Sequence, residues 1–327
     1  MKILIYISWP VRAWSIPDEQ VAALRARFPR IEFVQVRTLE DAKDAIVDVD
    51  ACFTPRLTAE MVAHAPKLRW VHSSAAAVEG LLPLDILAER GIAVSNSRGI
   101  QAVTIAEHVM GTLLVHTRKL SRTMEAQRER RWIQNDLCDD WPSKLHGRSM
   151  TIVGLGTIGM ELAKRAHAFG MTVTGVRRHT DRPRPRTVKR VVGPDQLNDA
   201  LAGCDILVIS APAVAATNRM IGEAELALLN PGAIVVNVAR AKIVDQDALR
   251  TALESGRLGG AVLDVFEREP LDAESPEWTL PNTVITPHCS GVRDTHWRDV
   301  IELYSANVKR FQNGRPLLNL VDPVAGY

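Results

Sequence analysis

The apolar residues of this chain fall into two alternating patterns. Short, nearly unbroken runs such as "KILIYI" (residues 2–7), "EFVQV" (32–36), "ACFT" (51–54) and "LRWVHS" (68–73) read as strands. A strand covered on both faces has no polar alternation to show. Between these runs, "DEQVAALRARF" (18–28), "EDAKDAI" (40–46) and "TAEMVAHA" (58–65) read as helices, the first with acids in its opening turn. Strand–helix alternation over the first hundred residues predicts a βα domain with a parallel sheet.

Residues 103–130, "VTIAEHVMGTLLVHTRKLSRTMEAQRER", predict one long helix, apolar in its first half and charged in its second. Then "SMTIVGLGTIGMELAKRAHAFGMTVTGV" (149–176) reads as strand, glycine turn, helix and strand. Further apolar strands follow at "CDILVISAP" (204–212), "GAIVVNVA" (232–239), "GGAVLDV" (259–265) and "TVITPH" (283–288), and a last helix at 293–313. The prediction is an α/β protein of two domains, each a parallel sheet flanked by helices. Residues 102–290 would form a dinucleotide-binding (Rossmann) domain inserted into a domain made of 1–101 plus 291–327.

Composition narrows the class. A chain of 327 residues with 46% hydrophobic content can bury a real core. A net charge of +2 is too mild to call for nucleic acid. The opening "MKILIYISWP" has a short apolar run and no small-residue cleavage site, so it reads as a first strand and not as an export signal. No stretch approaches the ~18 apolar residues of a membrane helix. The cysteines, Cys52, Cys138, Cys204 and Cys289, never stand at CxxC spacing, so no metal site is expected and reduced thiols in the cytoplasm are the simple reading.

"GLGTIG" supplies Gly154, Gly156, Thr157, Ile158 and Gly159 as a G-x-G-x-x-G between a strand and a helix, the context in which the motif binds a dinucleotide. Gly154 would permit the tight turn, Gly156 the approach of a pyrophosphate, and Gly159 close packing of helix on strand. The helix N-terminus would face the phosphates. About twenty residues on, an NAD site usually carries an acid for the ribose hydroxyl. Here "TGVRRHT" (174–180) carries Arg177 and Arg178, with His179 and Thr180 as further donors. Arginine suits the 2′-phosphate of NADP, so NADP is the expected cofactor and NAD the alternative. A solvated basic loop is the plainer reading, since Arg182, Arg184, Arg186, Lys189 and Arg190 continue the run.

Three segments further on, "NVARAKIVDQDAL" (237–249), "LDVFEREPL" (263–271) and "TPHCSG" (286–291), complete the picture. With "GLGTIG", in this order and spacing, the chain resembles the D-isomer-specific 2-hydroxyacid dehydrogenases over nearly its whole length. Reducing a 2-oxo acid needs a hydride donor, a proton donor and a cation for the carboxylate. His288 follows an apolar strand, and imidazole titrates near neutrality, which suits proton donation. Glu269 can hold the ring and favour its protonated form. Arg240, after another strand, can bind the carboxylate. The family's Arg, Glu and His fall on these positions; Glu267 competes with Glu269, but the family's acid directly precedes the proline.

The resemblance implies more. Asp264 would approach the nicotinamide ring or cap a loop. "NSRGIQAVTIAEH" (96–108) resembles the crossover between domains, with Thr104 as a cofactor contact, and "SAPAVAATNRMIG" (210–222) the loop over the adenosine half, with Pro212 and Thr217. "HSSAAAVEGL" (72–81) aligns with a glycine-rich loop whose amides bind the substrate carboxylate, here at Ala76 and Ala77. Alanine resists positive φ, so this loop is expected to differ in shape. Ala241 and Gln246 stand where glycine and Glu are usual. His108, His116 and His296 read as structural, and Trp9, Trp132 and Trp141 as core residues ahead of pocket lining.

The activity implied is reduction of a small 2-oxo acid such as glyoxylate or hydroxypyruvate with NADPH, by a cytoplasmic homodimer. Oxidation of 3-phosphoglycerate with NAD is the alternative enzyme, although the chain ends at Tyr327 without room for the regulatory domain some such enzymes carry. A dinucleotide-sensing corepressor is the alternative outside enzymology.

Overall fold

The computed structural model describes residues 1–78 and 80–323; Glu79, part of the alanine-rich loop, lies outside them. Two compact units form, Met1–Ile100 with Arg293–Tyr327, and Gln101–Val292.

In the first unit the aliphatic run starting at Lys2 becomes β1 (Lys2–Tyr6). The helix α1 (Asp18–Arg27) has Asp18 and Glu19 in its first turn and Arg25 and Arg27 in its last, matching the helix dipole at both ends. Then come β2 (Glu32–Val36), α2 (Leu39–Ala45), β3 (Ala51–Phe53), α3 (Ala59–Ala63), β4 (Trp70–Ser73), α4 (Leu84–Glu89) and β5 (Ala93–Asn96). The hydroxyls of Thr38 and Thr58 cap α2 and α3 by accepting from Asp41 N and Met61 N. The strands pair in parallel in the order β2-β1-β3-β4-β5. The C-terminal helix (His296–Gln312) sends Tyr304 into this unit's core, where its ring stacks on Phe53 at 3.9 Å beside the fully buried Trp70.

The second unit holds α5 (Ala102–Thr117), α6 (Leu120–Arg128), α7 (Gln134–Asp139), β6 (Ser149–Val153), α8 (Thr157–Ala168), β7 (Thr172–Val176), β8 (Arg190–Val192), α9 (Leu197–Leu201), β9 (Ile206–Ile209), α10 (Glu223–Leu228), β10 (Ala233–Asn237), α11 (Gln246–Glu254), β11 (Leu258–Leu263) and β12 (Thr283–Ile285). The single long helix expected at 103–130 is two helices. Lys119 adopts φ 54°, a left-handed conformation that ends the first and redirects the second.

The sheet order is β12-β11-β10-β9-β6-β7-β8, all parallel. Both faces are packed: Ile152, Val208, Val236 and Val262 face one core, and Val153, Leu207, Val235 and Leu263 the other. That two-sided burial is why the strands read as unbroken apolar runs. The three-residue β8 at the sheet edge, inside a basic stretch, gives no such signal, and the sequence reading passes over it. Among the described residues no helix is long and apolar enough to cross a membrane.

Candidate active site

The chain reverses direction across the second sheet between β6 and β9, and the crevice outside the carboxyl ends of those strands is where such sheets bind ligands. The glycine turn lies there. Gly154 has φ +100°, and a Cβ on it would come within 2.4 Å of Ala211 N, so glycine is required twice over. A Cβ on Gly159 would lie 2.5 Å from Gly154 O, which shows how closely α8 is packed on the turn. At Gly156 the same construction meets nothing within 4 Å, leaving open space above the turn. Thr157, Ile158 and Gly159 begin α8, whose first amides have no partner inside the helix. Open space over glycine backbone, facing a twelve-residue helix, fits a dinucleotide pyrophosphate.

Beyond β7 the two arginines diverge. Arg177 is half-buried, and its Nη2 donates to the carbonyls of Arg182 and, at 3.2 Å, Pro183; its backbone N–H meets Val192 O. Its side chain braces the basic loop. Arg178, His179 and Thr180 are exposed beside it. Thr217 Oγ1 donates to Pro212 O (2.8 Å) and accepts from Val214 N (2.9 Å), which folds the 212–217 loop on itself. Thr104 is half-buried in the first turn of α5.

The remaining residues gather past the ends of three adjacent strands. Arg240 follows β10, Glu269 follows β11 and His288 follows β12; Asn237 pairs with Leu263 and Leu263 with Ile285 in register. Glu269 Oε2 lies 2.6 Å from His288 Nδ1, and Glu269 Oε1 accepts from Phe266 N at 2.9 Å. The carboxylate is thus fixed at both oxygens. With Nδ1–H given to Glu269, Nε2 is the ring atom left to exchange a proton. Arg240 is exposed and has no carboxylate partner among the described residues; its Nη1 donates to Ala239 O (2.6 Å).

Asp264 organises this cluster from beneath. It is fully buried; Oδ1 accepts from Thr286 Oγ1 (2.6 Å) and Cys289 N (2.9 Å), and Oδ2 from Ser290 N (3.0 Å). Those donors flank His288, whose φ of 48° is left-handed. Such a conformation costs a non-glycine residue about 1–3 kcal/mol and persists only when its surroundings hold it. Of the two roles open to Asp264, the geometry supplies loop capping.

The segment 110–290 matches the model of the family "D-isomer specific 2-hydroxyacid dehydrogenase, NAD binding domain". The chain is 31% identical to a glyoxylate reductase of Thermococcus gammatolerans over 319 residues, 94% of each chain. The chain belongs to the D-isomer specific 2-hydroxyacid dehydrogenase family. It is also 29% identical over 287 residues to a D-3-phosphoglycerate dehydrogenase of Methanocaldococcus jannaschii, covering 87% of this chain but only 53% of that relative's length. Its fold is similar to that of an NADPH-dependent glyoxylate/hydroxypyruvate reductase from Sinorhizobium meliloti, solved with NADP and sulfate. The TM-score is 0.82 and the identity 26%, over 100% of this chain and 99% of that one.

In this dehydrogenase the contacts that several supporting residues make escape a reading of the sequence. Asn237, buried at the end of β10, donates to Arg240 O (3.0 Å) and accepts from Ala239 N (3.0 Å), and its own carbonyl accepts from Asp264 N. Gln246 donates to the carbonyls of Ala241 and Val244, both at 3.0 Å, which a Glu at that place could not do. His108 Nε2 is 3.1 Å from Thr286 Oγ1; burial pulls its pKa down, and Asp264 opposes that shift. A buried Asn closing a strand is the one sequence signal that could have drawn attention here.

In the first unit Ala75, Ala76 and Ala77 of the alanine-rich loop all avoid positive φ, which falls instead on Gly80 (φ 70°). The amides of Ala76 and Ala77 donate to no group among the described residues, while Asn96 Nδ2 holds Ala76 O at 2.7 Å. Trp132 and Trp141 are not core residues; they are 89% and 74% exposed, because the 129–143 segment runs over the surface of its unit.

Proposed function

We propose that this protein reduces small 2-oxo acids, glyoxylate and hydroxypyruvate among them, to D-2-hydroxy acids with NADPH. The observation that carries the reading is the His288–Glu269 bond of 2.6 Å, beside an Arg240 with no carboxylate partner among the described residues. A nicotinamide cofactor, held with its pyrophosphate over the turn at Gly154, Gly156 and Gly159, would supply the hydride that the 2-oxo carbon needs. Arg240 holds the substrate carboxylate and draws electron density from the ketone. His288 delivers a proton from Nε2 to the carbonyl oxygen, and Glu269 holds Nδ1 and so turns Nε2 outward. Asp264, Thr286 and Asn237 keep the His288 and Arg240 backbones in place.

NADPH preference is read from Arg178, exposed beside the end of β7, with Arg177, whose Nη2 meets the carbonyls of Arg182 and Pro183, as a second cation there. The likeness to the Sinorhizobium enzyme solved with NADP supports it. Use of NAD with 3-phosphoglycerate is the second reading, favoured by the Methanocaldococcus relative. A homodimer is part of the proposal, since a second copy would cover large exposed aromatics such as Trp132 and Trp141; light scattering should give twice the chain mass. The activity is tested by following absorbance at 340 nm with NADPH or NADH and glyoxylate, hydroxypyruvate or 3-phosphohydroxypyruvate. Turnover of glyoxylate or hydroxypyruvate with NADPH ahead of NADH is expected. Absence of turnover with every pair would refute the reading.

A further inference from the structure

The first half of α5 lies against the two strands that carry Asp264 and His288. Ile105, Val109 and Leu113 share one core cluster with Val262 of β11, and Val284 of β12 packs against it. His108, half-buried on the same helix, has Nε2 3.1 Å from Thr286 Oγ1, just past β12. That hydroxyl lies 2.6 Å from Asp264 Oδ1, just past β11. Asp264 in turn accepts from Cys289 N (2.9 Å) and Ser290 N (3.0 Å), the two amides that follow His288. One file of hydrogen bonds therefore runs, inside the second unit, from α5 to the segment that carries the proton donor.

The hydrogens available fix the direction of that file. The Thr286 hydroxyl has one hydrogen to give and two lone pairs. Asp264 is fully buried and has no Lys or Arg partner among the described residues, so its carboxylate is held by hydrogen bonds. A charged acceptor is the stronger one, and the hydroxyl hydrogen goes to Asp264. Thr286 Oγ1 must then accept from His108, which requires a hydrogen on Nε2. The opposite tautomer would turn a lone pair towards Thr286, draw the hydroxyl hydrogen away and leave Asp264 Oδ1 one donor short, a costly loss for a buried carboxylate. Burial pulls the His108 pKa down and so favours the neutral ring, which has a single hydrogen to place. The consequence reaches His288, whose left-handed φ of 48° is bounded by the amides that Asp264 holds.

We infer that His108 is a positioning residue for the proton transfer: with its hydrogen on Nε2 it donates to Thr286, aims the Thr286 hydroxyl at Asp264, and so keeps His288 in its reactive place. The inference rests on the reductase reading and adds to it a residue that acts on the reaction through two others.

The test uses the full chain with NADPH and whichever of glyoxylate and hydroxypyruvate wild type turns over faster. His108→Gln keeps an N–H where Nε2 stood and loses the ring. His108→Phe keeps a ring and loses the donor. A neutral hydrogen bond corresponds to about twofold to tenfold. In His108→Phe kcat should fall by up to about tenfold, with KM for the acid little changed because Arg240 is untouched. His108→Gln should keep most of the rate. Thr286→Val and Thr286→Ser repeat the choice one link nearer the site. The valine should lose about tenfold to a hundredfold, since its lost bond has a charged acceptor, and the serine should keep most of the rate. Melting temperatures and NADPH titrations check that each variant folds, and the Thr286 pair carries the test if His108→Phe does not. A His108→Phe as fast as wild type, or an equal loss in His108→Phe and His108→Gln, marks a packing role and overturns the inference, as does a Thr286→Val that matches wild type.

If wild type turns over neither acid, the reductase reading fails on its own account, and ring-nitrogen NMR signals decide the inference. Those of His108, identified by their loss in His108→Gln, should be those of an Nε2–H ring. Those of His288 should move in His108→Phe and stay in His108→Gln. An Nδ1–H ring at His108, or His288 signals unmoved by His108→Phe, overturns it.

Discussion

Two histidines at the carboxyl edges of the two sheets show what a strand end does and does not decide. His72, in β4 of the first unit, is fully buried; its Nδ1 lies 2.7 Å from Ser95 Oγ, and burial pulls its pKa down to about 3. His288, three residues past β12 of the second unit, has a side chain 49% exposed with Glu269 behind it. Both follow apolar strand residues, and neither flanking sequence says which ring meets water. A buried ring with a hydroxyl partner is part of the core. An open ring with one nitrogen fixed by a carboxylate can move a proton.

The largest expected effect breaks the second half of that comparison. His288→Ala should reduce kcat by about 10²–10⁴-fold with cofactor binding intact. Steady-state rates and NADPH titration check this, and near-wild-type kcat would show that the open ring is not the proton donor. Arg240→Lys comes next. It keeps the charge and loses the planar fork, so kcat/KM for the 2-oxo acid should fall on the order of a hundredfold. Unchanged kinetics would remove Arg240 from carboxylate binding.

Arg178→Ala should lower kcat/KM for NADPH by about tenfold at one fixed salt concentration and leave NADH little changed. A constant NADPH-to-NADH ratio would make the exposed arginine a solvated surface group.

The last effect concerns His72 and appears in stability alone. Its unfolded pKa is near 6.5 and its folded value lower, about 3. The unfolded chain therefore takes up the proton first. The stability is fully present above pH 6.5 and is lost as pH falls from there towards 3. At about 1.4 kcal/mol per pH unit, roughly 2 kcal/mol should disappear between pH 6.5 and 5. Denaturant titrations should show a shallower slope over this range in His72→Gln than in wild type; equal slopes would mean that His72 is not the group responsible.

Much of this molecule is legible without coordinates, for physical reasons that differ from place to place. Strands buried on both faces leave unbroken apolar runs, so β1, β6, β9, β10 and β11 are visible in the chain. The tight turn at Gly154 and the packing at Gly159 leave no space for a Cβ, so the glycines mark their own site. The acid before Pro270 and the histidine after Pro287 are named by local motif, and they do meet, at 2.6 Å.

Other features depend on partners far along the chain, and only the tertiary structure decided them. Arg177 reads as a phosphate ligand, and only the folded chain shows its Nη2 on the carbonyls of Arg182 and Pro183. Asp264 takes its clamp from donors more than twenty residues away, and Thr286 brings His108 to the same network across 178 positions. Lys119 breaks a helix that composition alone would continue, because propensity is a weak prior beside tertiary context. The sequence by itself determined which residue types stand at which strand ends, since burial and close packing restrict composition locally. Which of those side chains face water, and which are tied to a distant backbone, was decided by folding, because burial and hydrogen bonding are set by what the rest of the chain brings alongside.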